Sequence, residues 1–296
     1  MLIAKRQKTA YLFILPFFIV YLIFSLYPIL SSFFLSFFAD SDPLSGKGMI
    51  FAGLDNYVRL FTSNYFFGYV GNTIVIWLFS IIPQLTIALI LALILNERWV
   101  KGRTLLRSVY YFPNLVTPIT VGLLFNMLFS YPGGAVNNLF AALKLLPEPV
   151  DFLRQPILVR MVIGIATCWQ NFGYNIIFLT AGLHSISQDV YEAAEVDGAS
   201  AFRKTVSITL PLLKPMLLYI MITSIIGGLQ IFDVPKMFPE GMADYTRTMV
   251  LYMYESAFKR WQFGYGASIA YGIFMIIAVF SLIALRVTRG KGGDLE

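Results

Sequence analysis

Glu192–Pro211 reads EAAEVDGASAFRKTVSITLP, a polar, helix-prone stretch set between two long apolar runs. Just upstream, Ser185 and Gln188 have capping-box spacing, and Ser187 is an alternative N-cap with Asp189 in the first turn. These signals predict a short helix from about Gln188 to Asp197. Val190, Ala193 and Ala194 give it a small, smooth face, and Glu192 and Glu195 offer carboxylates to a basic partner. Gly198 tolerates the left-handed backbone that stops a helix. Ser200 can cap a second short helix that ends before Pro211. The expected product is two short helices joined by a glycine bend. Two roles fit it on physical grounds: a docking device, or an amphipathic connector lying on a membrane surface.

Working outward, the flanks are built to cross a bilayer. The chain of 296 residues is 58% hydrophobic and 13% charged, against roughly 25% charged in soluble domains. Six spans are predicted, at Tyr11–Phe38, Val70–Leu95, Val109–Ser130, Met161–Leu183, Met216–Phe232 and Ala267–Leu285, and none contains Asp, Glu, Lys or Arg. Each supplies close to the ~20 residues needed to cross about 30 Å of hydrocarbon. Helix satisfies the backbone there. The predicted fold class is therefore all-α: a polytopic membrane protein with six transmembrane helices and a cytoplasmic coupling helix hairpin. The first apolar run is too long for a cleaved signal peptide. Lys5, Arg6 and Lys8 precede it and hold the N-terminus in the cytoplasm. Alternation then places Asn96–Ser108, with Arg98, Lys101, Arg103 and Arg107, and the tail, with Arg286, Arg289 and Lys291, on the cytoplasmic side. The hairpin loop 184–215 joins them there. The positive-inside bias accounts for the net charge of +6 without nucleic acid. The expected division is 1–67 as N-terminus, first span and outside loop, 68–286 as transmembrane core, and 287–296 as cytoplasmic tail.

Several functions are disfavoured. Pumps and ion-coupled transporters keep ionisable groups in the membrane, each costing roughly 2.5–3.5 kcal/mol on insertion scales, and the predicted spans have none. His184, the one histidine, falls at a span boundary and reads as a polar helix-end residue. Lys47 in Gly46-Lys47-Gly48 and Lys291 in Gly290-Lys291-Gly292 lack phosphate-loop spacing. Cys168 is the sole cysteine, so no internal disulfide forms. No catalytic set, metal site or cofactor is expected. Pro16, Pro28, Pro83 and Pro118 lie within spans, as kinks or as ordinary membrane-helix prolines. A pathway without its own engine needs one docked on the cytoplasmic face.

The pattern E-A-A-x3-G-x9-I-x-L-P, filled by Glu192, Ala193, Ala194, Gly198, Ile208, Leu210 and Pro211, resembles the cytoplasmic loop of permease subunits in bacterial binding-protein-dependent ABC importers. Gly53-Leu54-Asp55-Asn56-Tyr57 and Gly227-Gly228-Leu229-Gln230-Ile231-Phe232-Asp233 resemble the carbohydrate-uptake branch. The tail from Arg286 does not match the glycine-rich ending of one permease type, so the chain is similar to the other, the larger maltose-type or glycerol-phosphate-type permease. The resemblance implies a transport subunit, not an enzyme, in a bacterial plasma (inner) membrane with both termini cytoplasmic. It implies a heterodimer with a second permease, two ATPase subunits below, and an extracellular or periplasmic solute-binding protein delivering a di- or oligosaccharide above. Glu192 falls at the position that pairs with a basic group in the ATPase cleft, and Gly198 at the bend.

A sugar site needs hydrogen-bonding groups and flat apolar rings. Trp169-Gln170-Asn171-Phe172-Gly173-Tyr174-Asn175 supplies both inside a span, although amides at such density also bond helices together. The resemblance places Gln170, Asn171 and Tyr174 at ligand-contact positions, and Gly227, Gly228, Gln230 and Phe232 in a corresponding region. Asn114 is a further candidate. Asn72, Gln84 and Asn126 read as interhelical hydrogen bonders. Alternatives are the same architecture carrying another solute such as glycerol phosphate, and a stand-alone facilitator or channel. An anionic solute would favour basic residues in the pathway, and the spans show none.

Overall fold

The computed structural model describes residues 13–39, 50–97 and 99–289. Lys5, Arg6, Lys8, Tyr11, Gly46-Lys47-Gly48, Arg98 and the tail from Gly290 lie outside them. Among the described residues, five helices are long and apolar enough to cross a membrane, and a sharply bent pair makes a sixth span. The chain divides into two compact units.

The smaller unit comprises residues up to 66 together with 252–274. Its first helix, α1 (Phe13–Leu35), buries none of its apolar window. A wide π turn at Leu22–Leu26 sits just ahead of Pro28. It widens the helix where the pyrrolidine ring would meet the carbonyl four residues back. A two-residue antiparallel ladder, β1 (Phe38–Ala39) with β2 (Ile50–Phe51), leads to α2 (Asp55–Thr62). Gly53 turns the chain at φ +55°, and the buried Asn56 amide donates to the Ser36 and Phe38 carbonyls at 3.0 and 2.8 Å. The Gly53–Tyr57 segment therefore has a local structural task. Tyr57 adds a hydroxyl contact to Ser36 at 2.7 Å.

The larger unit comprises 67–251 and 275 onward. It contains most of α3 (Asn64–Asn96), then α4 (Arg103–Leu115), α5 (Pro118–Leu128), α6 (Ala135–Ala142) and α7 (Pro156–His184). The hairpin helices α8 (Gln188–Val196) and α9 (Ala201–Lys204) follow, then α10 (Lys214–Leu229), α11 (Asp233–Lys236) and the end of α12 (Phe263–Arg289). His184 closes α7, at its exposed end.

The third span departs from expectation. Val109–Ser130 is not one helix: α4 and α5 meet at a 91° bend. Pro118 holds Thr117 extended, and the Thr117 hydroxyl caps the new helix by accepting from the Thr120 amide at 3.4 Å. The fifth span breaks too, at Gln230–Phe232 between α10 and α11. One apolar cluster packs α5 and α7 with α11, around Val121, Val162, Ile163 and Val234. A second joins α3 and α7 with the start of α10, around Ala88, Leu179, Leu213 and Ile220. Asn72 and Asn126 bond between elements as expected: Asn72 donates to the Asp244 and Arg247 carbonyls, and Asn126 to Met237.

Candidate functional site

Both helix breaks in the larger unit face one cavity of about 560 Å³. Non-helical backbone at membrane depth is tolerated where it lines a cavity, and broken helices build solute sites in transporters. Val116 and Pro118 line the cavity from the first break, and Gln230, Ile231 and Phe232 from the second. All eight residues singled out for solute contact line it: Asn114, Gln170, Asn171, Tyr174, Gly227, Gly228, Gln230 and Phe232.

Several of these side chains also hold the wall together. The Gln170 amide donates to the Val116 carbonyl at 2.8 Å, occupying the acceptor that the first break exposes. Asn171 donates to the Thr167 carbonyl at 2.9 Å and accepts from Asn114 across the helices at 3.3 Å. The two readings of the amides, solute contact and interhelical bonding, thus meet in the same residues. Tyr174 packs its ring 4.6 Å from that of Phe178.

Adjacent glycines do different jobs. Gly227 has open space where a side chain would stand. At Gly228 an added Cβ would sit 2.1 Å from Trp77 Cδ1. The Trp77 indole lies in that gap and donates to Ser224 Oγ at 3.0 Å. At Gly173 a Cβ would lie 1.9 Å from the Tyr110 carbonyl oxygen, so α7 and α4 touch backbone to side.

Trp77, Ser80 and Gln84 on α3 also line the cavity, and sequence analysis did not pick them out as wall residues. Gln84, read there as an interhelical bonder, accepts from Ser80 on its own helix at 3.4 Å instead. Asn175 is 3% exposed, lines the cavity, and its amide nitrogen has no hydrogen-bond partner. The clue to Trp77, Ser80 and Gln84 was their polarity or aromaticity at one-turn spacing in an apolar helix, whereas Asn175 belongs to the amide-rich stretch 169–175. Among the described residues that line the cavity, Asp233 is the one that carries a charge. Among the described residues, no group of three or more His, Cys, Asp or Glu could hold a metal ion.

The hairpin follows its sequence signals with two clarifications. Ser187, not Ser185, is the N-cap of α8, accepting from the Asp189 amide at 3.3 Å. Ser185 instead donates to the Gly182 carbonyl at the end of α7. Gly198 has φ +74°, and Ser200 caps α9 through the Arg203 amide. The second helical stretch does not end before Pro211. A π turn at Thr205–Thr209 runs into Leu210–Leu212, so helix continues through the proline, with the same π-turn-then-proline order as in α1. Glu192, Ala193 and Pro211 are exposed, Ala194 is buried, and Ile208 and Leu210 are half-buried. Val196 and Phe202 expose 89% and 79% of their surface, a large apolar area for a polar loop.

No family model matches the chain. It is 35% identical over 287 residues to the lactose transport system permease protein LacF of Rhizobium radiobacter, covering 95% of this chain and 94% of the relative. The trehalose/maltose transport system permease protein MalF of Thermococcus litoralis is 33% identical over 285 residues, covering 96% and 95%. A crystal structure of a bacterial ABC transporter involved in import of the acidic polysaccharide alginate superposes with a TM-score of 0.83 at 25% identity, covering 97% of both chains.

Proposed function

Because this chain belongs to the multi-pass permease subunits of sugar ABC transport systems, we propose that it forms half of the pathway for a neutral di- or oligosaccharide. The observation that carries this reading is the cavity where two helix breaks converge. Its wall combines amides and hydroxyls with the rings of Trp77, Tyr174 and Phe232, with no basic residue among the described residues that line it. An acidic sugar or a sugar phosphate would meet the Asp233 carboxylate without a compensating cation from this subunit. Relatives named for lactose and for trehalose or maltose agree with a neutral disaccharide.

A second permease completes the pathway, two ATPase subunits supply the energy, and an external solute-binding protein delivers the sugar. The hairpin, both termini and the segment Asn96–Ser108 face the cytoplasm of a bacterial plasma membrane. Residues 68–286 form the transport core, between the 1–67 segment and the 287–296 tail. Glu192, Ala193, Ala194, Gly198, Ile208, Leu210 and Pro211 make the ATPase-docking element: exposed Glu192 meets a basic group, while Val196 and Phe202 supply apolar contact. Gln170, Asn171, Tyr174, Gly227, Gly228, Gln230, Phe232 and Asn114 make the sugar-facing wall.

Reconstitution of the complete transporter in proteoliposomes tests this. ATP-dependent accumulation of lactose, maltose or trehalose, with glycerol phosphate excluded, is expected. Accumulation by this chain alone, or preference for the phosphate ester, overturns the reading. Labelling of a cysteine at Ser200 only from the inner side checks the topology.

A further inference from the structure

The hairpin is clasped internally along one helix face. Tyr191 and Glu195 stand one turn apart on α8, hence on the same side. The Tyr191 hydroxyl meets the Thr209 hydroxyl at 3.0 Å, and the Lys204 ammonium meets Glu195 at 2.6 Å. Thr209 is 3% exposed, and its hydroxyl donates to the Lys204 carbonyl at 3.3 Å. With Thr209 donating there, Tyr191 must donate to Thr209, giving a directed chain from Tyr191 to Thr209 to Lys204. Thr209 is also the last residue of the π turn, and wide turns of this kind gather at functional sites.

From Thr209 the path to the cavity runs through the short helical turn Leu210–Leu212 into α10, joined at the turn residue Leu213. The Leu213 amide donates to the Thr209 carbonyl, and the Leu217 amide to the Leu213 carbonyl, each at 2.9 Å. α10 then delivers Ile220, Thr223, Ser224 and Gly227 to the cavity wall. Leu213 is buried and packs against Gly182 of α7, where an added Cβ would come within 2.8 Å of it. Glu192 is exposed.

We propose that Tyr191 and Thr209 are positioning residues that carry displacement of α8 into α10, so that movement imposed at the docking face reaches the cavity wall. The inference rests on the hairpin being the ATPase-docking element. Without the hydroxyl pair, α8 can shift against the π turn, and the push dissipates at the flexible Gly198 bend.

The test uses the complete reconstituted transporter carrying Cys168→Ala and the reporter Thr223→Cys, at a cavity-lining position of α10 outside the sugar-contact set, read by maleimide labelling with and without ATP and vanadate. In the parent, trapping changes the labelling rate several-fold. Tyr191→Phe and Thr209→Val each abolish that change while ATP hydrolysis continues, and the double variant is no worse than either single one. Thr209→Ser, which keeps the hydroxyl, retains the response. The proposal is overturned where Tyr191→Phe and Thr209→Val hydrolyse ATP and keep the full labelling change, or where Thr209→Ser fails as Thr209→Val does. A parent without any ATP-dependent change, or Glu192 and Gly198 variants that respond normally, instead removes the docking role on which the proposal stands.

Discussion

The cavity wall and the hairpin both depend on glycine, for opposite reasons. In the helices that build the wall, Gly164 and Gly173 of α7 and Gly228 of α10 are places where no side chain fits: a Cβ would come within 2.5 Å of Phe79, 1.9 Å of Tyr110 and 2.1 Å of Trp77. In the hairpin, Gly198 has nothing within 4 Å, yet its φ of +74° is one that L side chains rarely adopt. The wall is specified by packing density and the hairpin by backbone conformation and capping. Their polarity differs in the same sense: one carboxylate among neutral amides and rings in the cavity, exposed acids and bases on the hairpin. Substitution in the wall should therefore break assembly of the bundle, whereas substitution in the hairpin should break communication and leave the bundle standing.

The sharpest way to break this contrast is Gly173→Ala. The colliding atom is a backbone carbonyl, so relief requires α7 and α4 to part. Overpacking of this kind costs about 1–3 kcal/mol or more. A steep fall in folded yield and in thermal midpoint is expected, and a wild-type midpoint would refute the close approach. Gly228→Ala comes next. There the Trp77 ring can turn away, but only by losing its bond to Ser224, so folding survives with a lower midpoint and altered sugar selectivity. Gly227→Ala is its control: with open space at that site, stability stays near wild type. Equal behaviour of the two alanine variants would show that Trp77 does not occupy the gap.

Gly198→Asp sharpens the other side. A left-handed backbone costs an L residue about 1–2 kcal/mol, less for Asp, so insertion and folded yield persist. Uptake is lost while ATP hydrolysis in the complete transporter continues. Normal uptake by this variant would remove the hairpin from the coupling role.

The two regions were also unequally legible. Gly198, Ser187 and Ser200 act through residues one to three positions away, so their turn and caps could be read locally. The apolar runs were equally plain, since hydropathy is a sum over neighbours. The bend at Val116-Thr117 was not, although Pro118 stood in view. Prolines inside membrane spans are ordinary, and the Val116 carbonyl exposed at the bend is satisfied by Gln170, far along the chain. Trp77 escaped notice, and Gln84 was read as a helix–helix bonder rather than a wall residue, for the same reason: an isolated ring or amide in α3 acquires meaning only once α10 lies opposite. The passage of helix through Pro211 depended on a π turn, for which Thr205–Thr209 carries no local signal. What remained hidden was in each case a contact between elements distant in sequence, or the turn that permits one.

The smallest expected effect separates the two fastenings of the hairpin. Glu195 and Lys204 approach to 2.6 Å, but their side chains keep 62% and 21% of their exposure. Exposed pairs of this type contribute about 0.2–1 kcal/mol and weaken with salt. Water replaces the lost partner when either charge is removed, so Lys204→Gln should leave the thermal midpoint almost unchanged and lower uptake only slightly, with the difference vanishing at high ionic strength. Thr209 has no such recourse, being buried with its hydroxyl committed on both sides. A Lys204→Gln variant as uncoupled as Thr209→Val would mean that the ion pair, rather than the hydroxyl pair, fastens α8. The distinction between an exposed clasp and a buried one would then fail within the hairpin itself.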